Sequence, residues 1–297
     1  MTLQVTQLSK QISGRSIIDD ISFQWAPGEI IGLVGRNGVG KTTLFRTMMN
    51  QYVADAGKVT VDDHDIVTTP EEQRRIFFLD VQYNFLDNYR LWEIPDFYGT
   101  VYPQFDHQRY LALLTQFKLD KNSQYRRLSK GMRALTNMIL ALTSNATYII
   151  LDEPFDGLDV IVRENIATMI IDEIADQEKG FLISSHDLNE LDGLSDRVLL
   201  LKDSHLVHDY NLEDIRAKAK KLQLVFKDKQ IPAVLKDHSQ LIRVSGRVLV
   251  VVITDYTPEI DQQLKALQPV LFEELPLTLE DLFRANLAHD TGYQLMK

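Results

Sequence analysis

The sequence predicts an α/β protein with a parallel sheet, followed by a smaller α/β unit. Short strands rich in Ile, Leu and Val alternate with helical stretches through the first three quarters of the 297-residue chain, which is typical of parallel βα units. A glycine-rich loop joins one of these strands to a helix. The strands predicted for the core span residues 30–34, 148–151, 181–184 and 198–201.

Length and composition indicate a folded protein of about two domains. Hydrophobic residues make up 44% of the chain and charged residues 25%, and there is no cysteine, which excludes a disulfide framework and a thiolate metal site. The net charge of −10 makes general nucleic-acid binding a poor fit, because phosphate neutralisation needs clustered cations. We therefore expect no nucleic-acid partner.

The apolar runs are short. A run such as 248–253 falls far below the roughly 18 residues that a membrane-spanning helix needs. Residues 1–15 contain no apolar stretch of the kind found in a signal peptide. If the protein works at a membrane, we expect another chain to cross it.

Several segments can be assigned along the chain. Residues 3–24 alternate like an antiparallel β element, and an aromatic-rich, helical insert follows between 83 and 120. Its aromatic residues are expected to form core, with a partner-binding surface as the alternative. The basic segment 216–221, "RAKAKK", is interpreted as a solvated, helix-favouring linker rather than a phosphate site.

The last 75 or so residues predict a small separate α/β unit. "LQLVF" and "LIRVSGRVLVVVIT" are interpreted as strands, the second with a turn at Ser245-Gly246, and "PEIDQQLKALQ" as a helix. Thr278 and Asp281 form a loose version of a capping box at the start of a last helix.

The loop at 35–42 matches G-x-x-x-x-G-K-[ST] at every fixed position, and it lies between a predicted strand and an apolar helix. Glycines let the backbone amides point inward at phosphates, and the helix N-terminus favours the same anion. Lys41 is expected on the β- and γ-phosphates, and the Thr42 hydroxyl on Mg²⁺. The predicted nucleotide-binding residues here are Gly35, Arg36, Asn37, Gly38, Val39, Gly40, Lys41, Thr42 and Thr43.

A second apolar strand, "TYIIL", ends in two carboxylates. Asp152 is predicted to hold Mg²⁺ directly or through water. Glu153, one residue further, is predicted to polarise the attacking water as a general base.

The segment "LSKGM" at 128–132 precedes a helix and then the acidic strand, with Asp152 only 23 residues after Ser129. With the phosphate loop, "DEPFDGLD" and a histidine in "LISSHDL", this order resembles the ATP-binding-cassette (ABC) ATPase family over residues 1–215. These motifs resemble the corresponding motifs of bacterial exporter ATPase subunits of the antibiotic or multidrug type. The resemblance implies a P-loop NTPase core with an N-terminal antiparallel β element, a helical subdomain and a small C-terminal α/β domain.

The resemblance also implies roles for the later motifs. Two cassettes would face each other head to tail, so that Ser129 and Gly131 of one copy contact the γ-phosphate held by the other. His186 would hydrogen-bond the γ-phosphate and the attacking water. Residues 157–159, "GLD", would couple the two sites.

The chain departs from the family pattern in three places. Lys130 and Met132 replace the usual glycine and glutamine of the signature. The family's Q-loop glutamine falls in register at Val81, so we assign its role toward Mg²⁺ and water to the neighbouring Gln82. Ile12 occupies the place of an aromatic residue that stacks on adenine.

These features predict an ATP-binding and ATP-hydrolysing subunit that powers transport, in the export direction, through a separate integral-membrane permease. It would use ATP and Mg²⁺, form a nucleotide-dependent homodimer or pair with a related ATPase subunit, and lie in the cytoplasm at the inner face of the cell membrane. A non-transport regulatory ABC ATPase is the alternative. The predicted domains are 1–215, with a helical subdomain at about 83–145, and 222–297.

Overall fold

The computed structural model describes residues 1–80, 85–175, 178–227, 230–288 and 294–296. Their contacts divide the chain into two compact units, Met1–Asp209 and Tyr210–Lys297. Unit 1 contains two sheets and unit 2 contains one, and each unit has its own apolar core.

Unit 1 begins with an antiparallel sheet, as the alternation of its sequence predicts. Its strands lie in the order β2-β1-β4-β5. Along the second strand, Ile21, Phe23 and Trp25 are buried while the residues between them are exposed, which is the period-2 pattern of a sheet with one covered face. The strands are β1 (Leu3–Ile12), β2 (Arg15–Trp25), β4 (Ala56–Val61) and β5 (His64–Asp65).

The second sheet of unit 1 contains the predicted parallel core. Its order is β10-β9-β3-β8-β7-β6, and neighbouring strands from β9 to β6 run parallel. The central strand β3 is buried along its whole length, as expected for a parallel sheet covered on both faces. The strands are β3 (Ile30–Val34), β6 (Ile76–Phe78), β7 (Tyr148–Asp152), β8 (Gly180–Ser185), β9 (Arg197–Lys202) and β10 (His205–Asn211).

Side-chain caps begin four helices of this unit, the fourth through Asp187, which accepts from the Asn189 N–H at the start of the helix 188–191. Asp106, Ser129 and Asp159 each accept a hydrogen bond from the backbone N–H three residues on, which satisfies a donor that the helix leaves free. The helices of unit 1 are α1 (Lys41–Met48), α2 (Pro70–Gln73), α3 (Ile94–Val101), α4 (His107–Gln116), α5 (Lys130–Thr143), α6 (Val160–Ile174) and α7 (Leu188–Leu191).

Among the described residues, no helix combines the length and the apolar character needed to cross a membrane.

Some aromatic residues of the insert are buried in the core and others are exposed. Tyr98, Tyr102, Phe105 and Tyr110 are buried, as predicted, whereas Phe97 is 40% exposed. The insert therefore supplies both the packing of the helical region and an aromatic surface.

Unit 2 contains a β-α-β-β-α-β arrangement, the split β-α-β pattern, with strand order β14-β11-β13-β12-β15. β11, β12, β13 and β14 pair antiparallel, and β15 joins β12 in parallel. The small C-terminal α/β domain is thus confirmed. The elements are α8 (Leu212–Lys218), β11 (Lys220–Val225), α9 (Ala233–His238), β12 (Leu241–Ser245), β13 (Val248–Ile253), α10 (Pro258–Ala266), β14 (Leu271–Leu275), α11 (Leu279–Ala288) and β15 (Gln294–Met296).

The basic segment 216–221 is not a linker. Its first three residues end α8, and Lys220 and Lys221 begin β11, a strand paired on both sides. The ammonium group of Lys220 lies 2.6 Å from Glu274, and that of Lys221 lies 2.8 Å from Asp281. The prediction of a solvated, helix-favouring segment holds for 216–218, which are exposed and helical. It is wrong for Lys220 and Lys221, because carboxylates far along the chain compensate their charges within the sheet. The limits 1–215 and 222–297 remain a proposal for the functional domains, beside a division of contacts at 209/210.

The remaining predictions for unit 2 hold. The Ser245-Gly246 turn joins β12 to β13, and the helix predicted from "PEIDQQLKALQ" is α10. At α11, the Asp281 N–H donates to the Thr278 hydroxyl at 3.2 Å, and the Thr278 N–H donates to the Asp281 carboxylate at 3.1 Å. This reciprocal pair is a capping box with aspartate in place of glutamate.

A charged triad ties the helical region of unit 1 to the parallel core. Glu173 on α6 accepts hydrogen bonds from Arg109 on α4, at 3.0 Å, and from Lys179 just before β8. Lys179 also donates to the Leu142 carbonyl of α5 at 3.1 Å. Burial alone would raise the pKa of Glu173, but the hydrogen bonds from Arg109 and Lys179 outweigh it and hold that pKa below its ordinary value.

We expect Glu173→Gln to lower the free energy of unfolding of unit 1 by about 3 kcal/mol at pH 7, because it leaves Lys179 buried without its counter-charge. A carboxylate with a lowered folded-state pKa stabilises the protein above the ordinary glutamate pKa of about 4.3 and loses that effect as the pH falls through its folded value. The wild type and the variant should therefore converge in acid. Both tryptophans lie in unit 1, so urea unfolding followed by tryptophan fluorescence measures the difference.

Glu164→Gln is the matched control, since Glu164 is exposed on the same helix. Equal stability of wild type and Glu173→Gln at pH 7 would contradict a stabilising role for the triad.

Candidate functional site

Three neighbouring parallel strands bring the predicted motifs to one edge of the sheet. β3 leads into the phosphate loop, β7 ends at Asp152, and β8 ends one residue before His186. The pairing register sets Asp152 opposite Ser184. This edge, at the carboxyl ends of parallel strands, is where such sheets bind ligands. A cleft of about 1040 Å³ opens there, lined by the phosphate loop and by the start of α5.

Two glycines of the phosphate loop are needed for its shape. Gly40 has φ +117°, and a Cβ there would lie 2.8 Å from the Ile17 carbonyl oxygen. A Cβ on Gly35 would lie 2.7 Å from the Val39 side chain. The loop therefore closes against its surroundings in a way that a larger residue would obstruct. Arg36, Asn37, Gly38, Gly40, Lys41, Thr42 and Thr43 all line the cleft.

Oxygen ligands suited to Mg²⁺ meet beside the loop. The Thr42 hydroxyl donates to Asp152 Oδ2 at 2.5 Å, and the Ser184 hydroxyl donates to Asp152 Oδ1 at 2.6 Å. A hydroxyl and a carboxylate next to a phosphate-binding loop are the hard oxygen donors that Mg²⁺ prefers. The residues present fit the predicted ion.

Glu153 is held between two cationic or protonatable groups. Its Oε1 lies 3.0 Å from Lys41 Nζ, and its Oε2 lies 3.0 Å from His186 Nδ1. Its backbone has φ +48°, an uncommon conformation for a residue with a side chain. The Glu153 N–H donates to Ser184 Oγ at 2.9 Å, which fixes this unusual turn.

Lys41 is anchored inside the loop as well. Its Nζ donates to the Gly35 carbonyl at 2.6 Å, and its side chain is only 5% exposed. A buried ammonium group with one carbonyl and one carboxylate partner is a preformed anion site. A phosphate that enters the loop therefore competes with Glu153 for Lys41.

Asp156 extends this cluster. Oxygen atoms of Glu153 and Asp156 and a nitrogen of His186 lie within 4.8 Å of one another. Lys41 pairs with Glu153, and Lys130 pairs with Asp156 at 2.8 Å. Because an ammonium group pairs with each of the two carboxylates, the cluster forms a charge network.

Ser129 and Gly131, the two predicted signature residues, differ from Lys130 in their position relative to the cleft. Ser129 is exposed and caps α5 by accepting from the Met132 N–H at 3.2 Å, while Gly131 packs near Val162. Lys130 lines the cleft, whereas Ser129 and Gly131 are not among the described residues that line it. The structure thus leaves Ser129 available to a ligand outside its own cleft.

The predicted Q-loop residue Gln82 and its alternative Val81 lie outside the described residues. The strand that leads there, β6, ends near Asp80, which lines the cleft. Asp80 accepts from Arg46 Nε of α1 at 2.6 Å, and both side chains are nearly buried. The hydrogen bond to Asp80 raises the pKa of Arg46 further above its ordinary value. This pair links the helix after the phosphate loop to the start of the Q-loop segment.

Ile12 lies at the cleft as the sequence comparison with the family anticipates. It is 39% exposed and lines the cleft together with Ile17 and the phosphate loop. Both are aliphatic, so this wall offers apolar contact without an aromatic ring.

Three contributors were missed in the sequence. Ser184 looks like an ordinary strand residue until the β7–β8 register places it on Asp152. Asp156 and Asp80 look like turn carboxylates. Only Asp156 has a local signal in the sequence, because it lies within "DEPFDGLD", three residues after Glu153.

The geometry agrees with comparisons to known proteins. The ABC transporter family matches residues 18–156. YtrB of Bacillus subtilis (strain 168), an ABC transporter ATP-binding protein, is 30% identical over 283 residues, which cover 95% of this chain and 97% of YtrB. The chain belongs to the ABC transporter family. It is an ATP-binding ATPase subunit of that family.

Other relatives serve transport in both directions. LptB of Escherichia coli (strain K12), a lipopolysaccharide export system ATP-binding protein, is 30% identical over 69% of this chain and 89% of LptB. SsuB of Cupriavidus pinatubonensis (strain JMP 134 / LMG 1197), an aliphatic sulfonates import ATP-binding protein, is 30% identical over 70% of this chain and 69% of SsuB.

Solved structures share the fold. An ATP-binding subunit of an ABC transporter superposes with a TM-score of 0.66 at 24% identity, over 73% of this chain and 92% of that one. A dimeric ATP-binding cassette bound to ADP and Pi, MJ0796, gives a TM-score of 0.63 at 20% identity, over 71% and 98% of the two chains. The predicted α/β P-loop fold is confirmed.

Proposed function

We propose that two copies of this chain bind two MgATP between them and hydrolyse ATP to drive an export permease in the membrane. One observation carries the proposal. The parallel sheet brings together, at one of its edges, Lys41, Asp152, Glu153 and His186. Ser129, which is exposed and is not among the described residues that line that cleft, supports a site completed by a second copy. MJ0796, solved as a dimer with ADP and Pi, is a precedent for that assembly.

The chemistry assigned to the cleft follows from its charges. The phosphate-loop amides and Lys41 stabilise negative charge on the γ-phosphate. Thr42 and Asp152 would hold Mg²⁺, which supplies further charge neutralisation when bound. Gln82 keeps its proposed role toward Mg²⁺ and water.

Glu153 acts as the general base in this proposal. When the triphosphate takes Lys41, one oxygen of Glu153 is freed to accept a proton from water. His186, whose Nδ1 lies 3.0 Å from the other oxygen, orients the carboxylate toward the γ-phosphate. The contact with His186 therefore keeps the base in place at the moment it loses Lys41.

We assign the docking site of the membrane partner to an exposed aromatic surface, which we define as Phe85, Tyr89 and Phe97. All three are between 39% and 44% exposed, and the Phe85 ring lies 4.5 Å from that of Phe97 and 6.0 Å from that of Tyr89. Contiguous exposed aromatic rings on a folded protein mark a partner surface. A permease segment that docks here would hold the subunit at the inner face of the cell membrane.

Export is the direction that we propose, on the resemblance of the motifs to exporter subunits and on the name of LptB. A single chain of this kind would pair as a homodimer or with a related ATPase subunit. The second domain, 222–297, is assigned an accessory role in the same assembly.

Glu153→Gln should keep ATP binding and lower turnover by at least about 100-fold, the size of a general-base contribution. The amide cannot take a proton from water, while loss of the charge on Glu153 releases Lys41 for phosphate. Steady-state ATPase assays and nucleotide titrations measure the two effects. Glu71→Gln, a change at an exposed glutamate of α2, serves as the control, and wild-type turnover in Glu153→Gln would refute the role of Glu153.

Phe97→Ser should leave basal ATPase activity unchanged and reduce at least severalfold its stimulation by a co-purifying integral-membrane chain, because it removes one aromatic ring of the apolar contact. Val67→Ser is the matched control, since Val67 is exposed elsewhere in unit 1. Full stimulation of Phe97→Ser would move the docking site elsewhere, and capture of no membrane chain by the wild type would favour a regulatory ATPase.

A further inference from the structure

A hydrogen-bond network holds the two residues that flank His186. β8 ends at Ser185, which is fully buried, and His186 is the next residue. The Ser185 hydroxyl accepts from the Asp187 N–H at 2.9 Å and donates to Glu190 Oε2 at 2.7 Å. One hydroxyl group therefore ties both neighbours of His186 to the Glu190 carboxylate.

Glu190 is the acceptor in this network. It lies on α7, and its side chain is only 6% exposed. The Ser185 hydroxyl also lies 2.9 Å from the Asp187 carbonyl, but a carboxylate is the stronger acceptor and takes its proton. Because burial of a charge is costly unless the charge is paired, we looked for a cation beside Glu190.

Arg163 of α6 supplies that cation. Its Nη2 lies 3.6 Å from Glu190 Oε1. The Arg163 Nε is buried and has no hydrogen-bond partner among the described residues. Glu190 is also the only carboxylate that pairs with Arg163 in the described part of the chain. The position of the guanidinium and that of the carboxylate therefore depend on each other.

Arg163 lies in the first turn of α6, which follows the loop that carries the proposed general base. Asp159 caps this helix by accepting from the Val162 N–H at 3.0 Å, and its carbonyl accepts from the Arg163 N–H at 3.1 Å. A continuous series of contacts thus runs from the start of α6 through Glu190 to the backbone at His186.

The ring of His186 has few contacts of its own. It is partly exposed, and among the described residues its one hydrogen-bond partner is Glu153, whose Oε2 lies 3.0 Å from Nδ1. The direction of the ring therefore depends on where the backbone of 185–187 is held. That backbone is held by the Ser185 hydroxyl and, through it, by Glu190.

We propose that Glu190 and Arg163 are positioning residues for ATP hydrolysis, which hold the backbone at His186 so that its ring meets Glu153. This inference rests on the roles proposed for His186 and Glu153. Neither Glu190 nor Arg163 is among the described residues that line the nucleotide cleft. They act through His186, so their loss slows the chemical step and leaves nucleotide affinity unchanged.

Glu190→Gln keeps the size of the side chain and an oxygen for Ser185, but it removes the charge that faces Arg163. We expect it to lower kcat at least about fivefold, a part of a general-base contribution, with KM for ATP within about twofold of the wild-type value. Arg163→Gln should give the same pattern, and Arg163→Lys should keep most of the rate. Steady-state ATPase assays measure both constants.

A double-variant cycle separates positioning of His186 from a role in helix packing alone. The His186→Gln chain has no imidazole to position, so adding Glu190→Gln to it should change the residual single-turnover rate less than about twofold. A fivefold effect in that background would mean that Glu190 acts elsewhere, and would overturn the inference.

NMR of isotope-labelled histidine gives a readout that does not depend on activity. The His186 ring signal, assigned by its loss in His186→Gln, should shift in Glu190→Gln and in Arg163→Gln. An unchanged signal in both variants would contradict positioning. Arg163→Gln alters a partly exposed side chain, so it tests the pair even if Glu190→Gln does not fold.

Glu164→Gln is the matched control, because Glu164 is exposed beside Arg163 on α6. It should leave kcat, KM and the His186 signal at their wild-type values. Wild-type kcat in Glu190→Gln and in Arg163→Gln overturns the inference and leaves the proposed function standing. Wild-type kcat in His186→Gln overturns the role of His186 and the inference with it.

Discussion

The parallel register of β3, β8 and β7 is the constraint on which the site depends. It sets three strand ends side by side, so that the phosphate loop, His186 and the Asp152–Glu153 pair meet at one edge. Two hydrogen bonds of Ser184 depend on this register: its hydroxyl donates to Asp152 and accepts from the Glu153 N–H. A slip of one residue between β7 and β8 would turn Ser184 to the other face of the sheet and release both contacts.

Within that frame, the cleft is organised by carboxylates that already have cationic partners. Glu153 has Lys41, and Asp156 has Lys130. A triphosphate that enters the phosphate loop competes with Glu153 for Lys41, so these charged groups would change partners when nucleotide binds. Because Lys41 is buried, its ammonium group is poorly solvated and attracts a phosphate strongly.

The sequence predicts the local parts of this structure well. The phosphate loop, the acidic end of β7 and the cap at Thr278 each lie within a few consecutive residues, where backbone geometry and residue type act together. The parts that it cannot predict depend on residues far apart. Ser184 meets Asp152 through sheet register, Lys130 meets Asp156 through helix placement, and Lys220 and Lys221 are neutralised by distant carboxylates, which is why their segment was mistaken for a linker.

Complementation between two inactive chains tests the shared site most directly. Lys41→Met inactivates the phosphate loop and keeps the signature, whereas Ser129→Arg blocks the signature and keeps the phosphate loop. If two copies share each nucleotide, mixing these chains assembles one complete site per mixed dimer, and ATPase activity should rise well above that of either chain alone. Activity that stays at the level of the separate chains, in a sample where mixed dimers are present, would contradict a site built from two copies.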